Sequence, residues 1–115
     1  MMERARYYGR PPDRRSPLRA QSQPRIEDVD LATVLHALGD GVRLDLVRRM
    51  AADGECQCSP PDLDVPRSTL SNHWRILREA GVTETRVLGK ARCMSLRWGE
   101  LEGRFPGLLG VVLEG

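Results

Sequence analysis

Leu31, Val34, Leu35 and Leu38 recur at the i, i+3, i+4, i+7 spacing of an amphipathic helix, with order expected to begin near Ile26. Gly39 breaks that pattern and Asp40 is a suitable N-cap for a second helix, VRLDLVRRMAA. Its apolar face is read as Leu44, Val47, Met50 and Ala51, and Asp53-Gly54 ends it. Residues 55–66 hold three prolines, so no more than a short helical turn is expected there.

A third helix follows in PRSTLSNHWRILREAG. Pro66 is tolerated at a helix start, and Ser68 and Thr69 can serve the free N–H groups of the first turn. Leu70, Trp74 and Leu77, flanked by Ile76 and Ala80, form its apolar stripe, and Gly81 closes it. VTETRVLGKARCMSLRW then alternates around a turn at Leu88, Gly89 and Lys90, which predicts a two-stranded hairpin. The last segment, GELEGRFPGLLGVVLEG, is apolar but interrupted by Pro106, Gly107 and Gly110. Leu108, Leu109, Val111, Val112 and Leu113 are too many apolar side chains to leave bare, so a buried edge or a partner surface is expected.

With 115 residues the chain is read as one small domain, for which oligomerisation would add burial. No apolar run approaches the roughly 20 residues that span a bilayer, and the N-terminus has no signal-peptide core. Three cysteines make no disulfide scaffold, which points to a reducing cytoplasm.

Charge divides the chain further than its net +2 implies. Residues 1–25 carry seven arginines against two acids, and with their Pro, Ser and Gln content they read as a disordered basic tail. Residues 26–65 are net −6, residues 66–97 are net +5, and the remainder is net −2. A polyanion-binding surface is therefore placed on the third quarter of the chain and on the tail.

The third helix sharpens that assignment. Opposite its apolar stripe lie Arg67, Ser68, Ser71, Asn72, Arg75 and Arg78, all hydrogen-bond donors, and the one acid, Glu79, comes at the far end. A solvated face would ordinarily mix acids with bases for pairing. Helix, helix, turn, donor-rich helix and basic hairpin, in this order, make a mainly α winged helix-turn-helix over residues 26–115. In that arrangement a helix at about 66–81 enters the major groove of double-stranded DNA. Asn72 and Arg75 suit bidentate base contacts, and Ser68, Thr69 and Ser71 suit bases or phosphates. A wing at about 82–97 brings Arg86, Lys90 and Arg92 to the backbone or minor groove.

These residues resemble a known family. LHALGDGVRLDLVRRM looks like the second-helix entry of the ArsR/SmtB winged-helix regulators, and STLSNHWRILREAGV is similar to their recognition helix. The likeness covers roughly residues 31–97 and is most specific over residues 68–81. It implies a homodimeric transcriptional repressor, released from its operator by an effector. Dimer contacts are implied for the first helix, about 27–38, and for the C-terminal segment, about 99–113. DNA contact is carried onto Ser68, Thr69, Ser71, Asn72 and Arg75, and wing contact onto Arg86, Lys90 and Arg92, while Arg67 joins the expected DNA contacts from the donor face alone. Gly41 departs from the family pattern, which usually has Pro after the Asp.

Arsenic-sensing members of that family carry a Cys-x-Cys just before the recognition helix, where Cys56 and Cys58 fall here. A soft metal or metalloid ion needs thiolates converging on one point, and Cys93 is the remaining candidate. Strand alternation sets Cys93 opposite to Met94 and Leu96, hence outward. His36 and His73, the two histidines, lie on helices read as core, so no zinc-type site and no resident cofactor is expected. Two other readings stay open: a winged helix used for protein–protein contact, and a thiol-based metal- or metalloid-handling protein. No phosphate loop, zinc-protease or Ser-His-Asp pattern occurs, and no enzymatic activity is expected.

Overall fold

The computed structural model describes residues 23–114 except 55, 58, 59, 61 and 90. The tail expected over residues 1–25 therefore lies almost wholly outside the described residues. A single 3-10 turn, Ile26–Asp28, leads into helices α1 (Leu31–Leu38) and α2 (Gly41–Asp53). Strand β1 (Cys56–Gln57), helix α3 (Arg67–Glu79) and strands β2 (Thr83–Leu88) and β3 (Ala91–Leu96) follow, then α4 (Trp98–Arg104) and α5 (Leu108–Glu114).

Local chemistry explains the helix boundaries. Asp30 caps α1 by accepting from Thr33 N at 3.2 Å. Asp40 caps α2, its Oδ1 accepting from Val42 N at 2.9 Å and Arg43 N at 3.1 Å. Helix α3 behaves differently from expectation: it follows Pro66, and no side chain caps its first turn. Gly81 ends it at φ +89°, in the left-handed region. A Cβ at Gly81 would overlap the Val29 side chain, so only glycine fits where the 3-10 turn crosses the end of α3.

The sheet has three strands in the order β1-β3-β2, all antiparallel. β1 corrects the expectation of no more than a helical turn across residues 55–66. Its pairing, Cys56 with Met94 and Gln57 with Cys93, is a contact between residues nearly 40 apart, which no local periodicity records. The β2–β3 register runs from Thr83–Leu96 to Leu88–Ala91 and leaves a two-residue turn, with Gly89 at φ +64°.

One core joins the layers. Val34, Ala37 and Leu38 of α1 meet Leu46, Val47 and Met50 of α2, and Leu70, Trp74 and Leu77 of α3 close over them. Met94 and Leu96 cover the core from the sheet, and Leu101 and Leu109 seal it from α4 and α5. Each of the Val, Leu and Met side chains contributes roughly 1.5–3 kcal/mol by leaving water. Two expectations change. Leu46, not Leu44, is the fully buried leucine of α2. Leu31 and Leu35 face outward at 43% and 48% exposure, because the buried face of α1 is set by Val34, Ala37 and Leu38.

Candidate nucleic-acid interface

Helix α3 is held by polar clamps as well as by its apolar stripe. Arg43, 7% exposed, donates from Nε to Ala37 O at 2.6 Å and from Nη2 to His36 O at 3.3 Å. These are carbonyls of the last turn of α1, and His36 O also accepts from the Gly39 N–H at 3.2 Å. Its Nη1 lies 3.1 Å from His73 Nδ1 on α3. A guanidinium has only donors, so His73 accepts at Nδ1 and carries its ring proton at Nε2. Asp40 Oδ1 is 4.0 Å from the same ring nitrogen. One arginine thus ties α1, the start of α2 and the middle of α3 together.

A second clamp fixes the approach to α3. Arg49 of α2 donates to both oxygens of Asp62, at 3.0 and 2.8 Å, and to Asp45 Oδ2 at 2.9 Å. The Arg49 guanidinium holds the Asp62 carboxyl below the usual carboxylate range. Backbone N–H donation from Arg43 does the same for Asp40, with the Arg43 charge adding to it.

With its inner face buried, α3 presents the expected donors to solvent. Arg67, Ser68, Thr69, Ser71, Asn72 and Arg75 are all exposed. Arg78 is half-buried, on the shoulder of the helix. Arg75 is engaged within the helix: Nη2 donates to Asn72 Oδ1, and Nη1 donates to Glu79 Oε1 at 3.1 Å. The two side chains suited to base edges thus form one unit. Glu79 was expected only as a distant acid, but its i, i+4 spacing brings it onto Arg75.

The hairpin divides its basic residues between two faces. Paired residues share a face and neighbours alternate, so Val87 and Arg92 lie on the face of Thr85 and Met94, and Arg86 and Cys93 lie on the other. Arg92 is exposed and Arg86 half-buried, and Lys90 lies outside the described residues. The two arginines thus flank the wing instead of forming one stripe.

Of the candidate thiols, Cys93 is half-buried on the central strand, with Gln57 and Arg86 as its two cross-strand partners. Cys56 pairs with Met94, one register step away from Cys93, and Cys58 lies outside the described residues. Among the described residues, no group of three or more His, Cys, Asp or Glu is arranged to hold a metal ion. His36 is exposed, which corrects its reading as a core residue, because the buried face of α1 runs through Val34, Ala37 and Leu38. His73 is half-buried, and it serves Arg43.

Arg43 and Arg97 are functional-site supports that the sequence pattern missed, since a buried arginine has no periodic signature. Arg97 is 5% exposed, pairs with Glu100 at 2.9 Å and donates to Pro24 O at 2.8 Å. It fastens the N-terminal segment to the base of the wing.

No protein-family model matches the chain. The uncharacterized HTH-type transcriptional regulator YceK of Bacillus subtilis is 33% identical over 86 residues, spanning 72% of this chain and 86% of that protein. The uncharacterized HTH-type transcriptional regulator MJ1325 of Methanocaldococcus jannaschii is 37% identical over 60 residues, half of this chain and 67% of that one. The crystal structure of an ArsR family transcriptional regulator superposes with a TM-score of 0.54 at 18% identity, covering 77% of this chain and 94% of the other. Among the described residues, no helix is long and apolar enough to cross a membrane. The chain belongs to the helix-turn-helix-type transcriptional regulators, a non-enzymatic class, and it has the winged-helix fold of an ArsR family regulator.

Proposed function

We propose that this regulator is a homodimeric, cytoplasmic repressor that reads its operator through α3 in the major groove and steadies it with the wing. The observation that carries the reading is the outer face of α3, where Arg67, Ser68, Thr69, Ser71, Asn72 and Arg75 are all exposed and the first two turns hold no acid. Asn72 and Arg75 recognise base edges, Arg to guanine and Asn to adenine, and the hydroxyl residues take phosphates or bases. The first turn of α3 adds uncapped N–H groups and the positive end of the helix dipole. Arg86, Lys90 and Arg92 contact backbone on either side of the wing.

Dimer formation is supported by apolar side chains that the protomer leaves uncovered. Leu31 and Leu35 stand one helical turn apart on α1, and Val111 on α5 is 73% exposed. A second copy covering them provides the two-fold symmetry that a palindromic operator matches. Repression is supported by the resemblance of residues 31–97 to ArsR/SmtB regulators, which implies a repressor released by an effector.

The test is binding of the purified protein to the DNA upstream of its own gene across a salt series. Affinity is expected to fall steeply and linearly in log–log form as phosphate counterions are displaced. Salt-independent association, or none, would remove the proposal.

A further inference from the structure

We infer that Arg104, which lies in neither DNA-reading element, is a positioning residue for DNA recognition: through Val29 it holds the turn that sets the wing against α3. The inference rests on the DNA-binding reading above and adds a residue to it.

The turn between α3 and β2 is closed by two backbone bonds. Gly81 N–H donates to Arg78 O at 3.0 Å, and Val82 N–H donates to Leu77 O at 3.0 Å. With Ala80 as the helix cap, these are the paired bonds of a Schellman motif, which needs the left-handed backbone that Gly81 supplies at φ +89°. Val82 O in turn accepts from Arg97 N–H at 3.0 Å, which ties the end of β3 to the same point. The direction in which the chain leaves α3 to become the wing is thus decided over two residues, Gly81 and Val82.

Val29 is the lid on that turn. It stands alone between the 3-10 turn and Asp30, the cap of α1. It is 2% exposed, and its side chain fills the space that a Cβ at Gly81 would need. Its carbonyl accepts twice from Arg104, the last residue of α4, with Nη2 at 2.9 Å and Nε at 3.3 Å. A planar fork with two donors on one oxygen restrains that oxygen more than one rotatable donor does. The guanidinium is itself steadied over the Phe105 ring, 5.2 Å from its centre. Arg104 is exposed, so water replaces its donors when the side chain is shortened. Little stability is lost in that exchange, but the restraint that α4 places on the lid disappears.

The experiment compares the full-length Arg104→Gln and Arg104→Lys variants with the unaltered chain. The readouts are melting temperature, mass in solution, amide hydrogen exchange at Val82, and affinity for the upstream duplex across a salt series. Arg104→Gln is expected to keep its melting temperature within a few degrees and its state of association unchanged. It is expected to speed exchange at Val82 and to bind the duplex about 2- to 30-fold more weakly, the range over which residues outside a binding site shift its affinity. The log–log salt slope stays the same, because no phosphate contact is lost. Arg104→Lys, which keeps a donor for Val29 O, recovers part of the affinity and of the protection. Added to Val29→Ala, the Gln substitution costs less than it does alone, since its route through the lid is already gone.

Unchanged affinity and unchanged Val82 exchange in Arg104→Gln would overturn the inference while leaving the α3 reading intact. A salt slope shallower by about 0.9 would also overturn it, placing Arg104 on a phosphate. So would a loss of DNA binding that follows a loss of dimer mass, because α4 lies in the segment proposed to meet a second copy. An unaltered chain with no salt-sensitive binding to the duplex would remove the underlying DNA reading as well.

Discussion

Arg43 Nη1 stands 3.1 Å from His73 Nδ1, so the arginine that completes the last turn of α1 also holds the proposed recognition helix. Removing it takes the Arg43 donor from Ala37 O and from the ring nitrogen of His73, while His36 O keeps the Gly39 N–H. Arg43→Ala is expected to lower stability by about 2–4 kcal/mol, the usual cost of breaking a buried charged hydrogen-bond network. His73→Asn, which keeps an acceptor, should lose less than His73→Leu, which keeps none. Urea melts of the three variants check the order.

Gly81 and Val29 occupy one crowded point. Gly81→Ala forces a side chain into the left-handed region, at about 1–2 kcal/mol, and overlaps Val29 as well. The double variant Gly81→Ala/Val29→Ala is expected to be less destabilised than the two single losses added together. A double-mutant cycle in thermal or urea unfolding measures that coupling.

Gly41 is the opposite case, a glycine that nothing requires. It occupies the first position of α2, a Cβ there would meet no atom within 4 Å, and Asp40 is already extended at φ −130° and ψ 135°. That backbone accepts a following proline, and proline suits the first helical position. Gly41→Pro is expected to stabilise by about 0.4–1 kcal/mol through the unfolded chain. The measurement is a shift of the melting temperature upward.

Acid should weaken the fold through Asp40 and Asp62. Both carboxyls sit below their ordinary range, Asp40 chiefly through the backbone N–H of Arg43 and Asp62 chiefly through the Arg49 guanidinium. A depressed folded pKa means the stabilisation is complete above the unfolded value, near 4, and disappears as pH falls through the folded value. Asp40→Asn, which still caps the helix but does not titrate, is expected to flatten the stability profile below about pH 4. Melts from pH 6 to pH 2 give the comparison.

On the proposed reading, Glu79 competes with DNA for Arg75. The exposed pair itself contributes little, about 0.2–1 kcal/mol, but it must open or swing aside before Arg75 meets a base. Glu79→Gln is expected to tighten DNA binding several-fold at low salt by freeing Arg75 and removing a negative charge from the face. The effect should shrink as salt rises, and fluorescence anisotropy at two salt concentrations reads it.

Much of this was legible in the residues themselves. The stripe of Leu70, Trp74 and Leu77 against an acid-poor donor face located α3 and its exposed side, because burial and charge there follow one helical period. The turn at Gly89 was legible for a similar local reason. The third strand was not, since a two-residue strand has no period and exists only by pairing with β3. Nor was the orientation of α1 readable, because that helix has apolar residues on two faces and periodicity does not say which one the core takes. Arg43 was hidden for a different reason: its partners are backbone carbonyls across a helix junction and one imidazole, groups that leave no mark in the sequence.

The central claim is that Asn72 and Arg75 read bases from the outer face of α3. The most direct measurement is the ratio of affinities for the upstream operator and a scrambled duplex of equal length, for the unaltered chain and for Asn72→Ala and Arg75→Ala. Each lost bidentate contact is expected to lower that ratio by about 5- to 150-fold, the equivalent of roughly 1–3 kcal/mol, with scrambled-duplex binding changed far less. A ratio unchanged in both variants would contradict the claim.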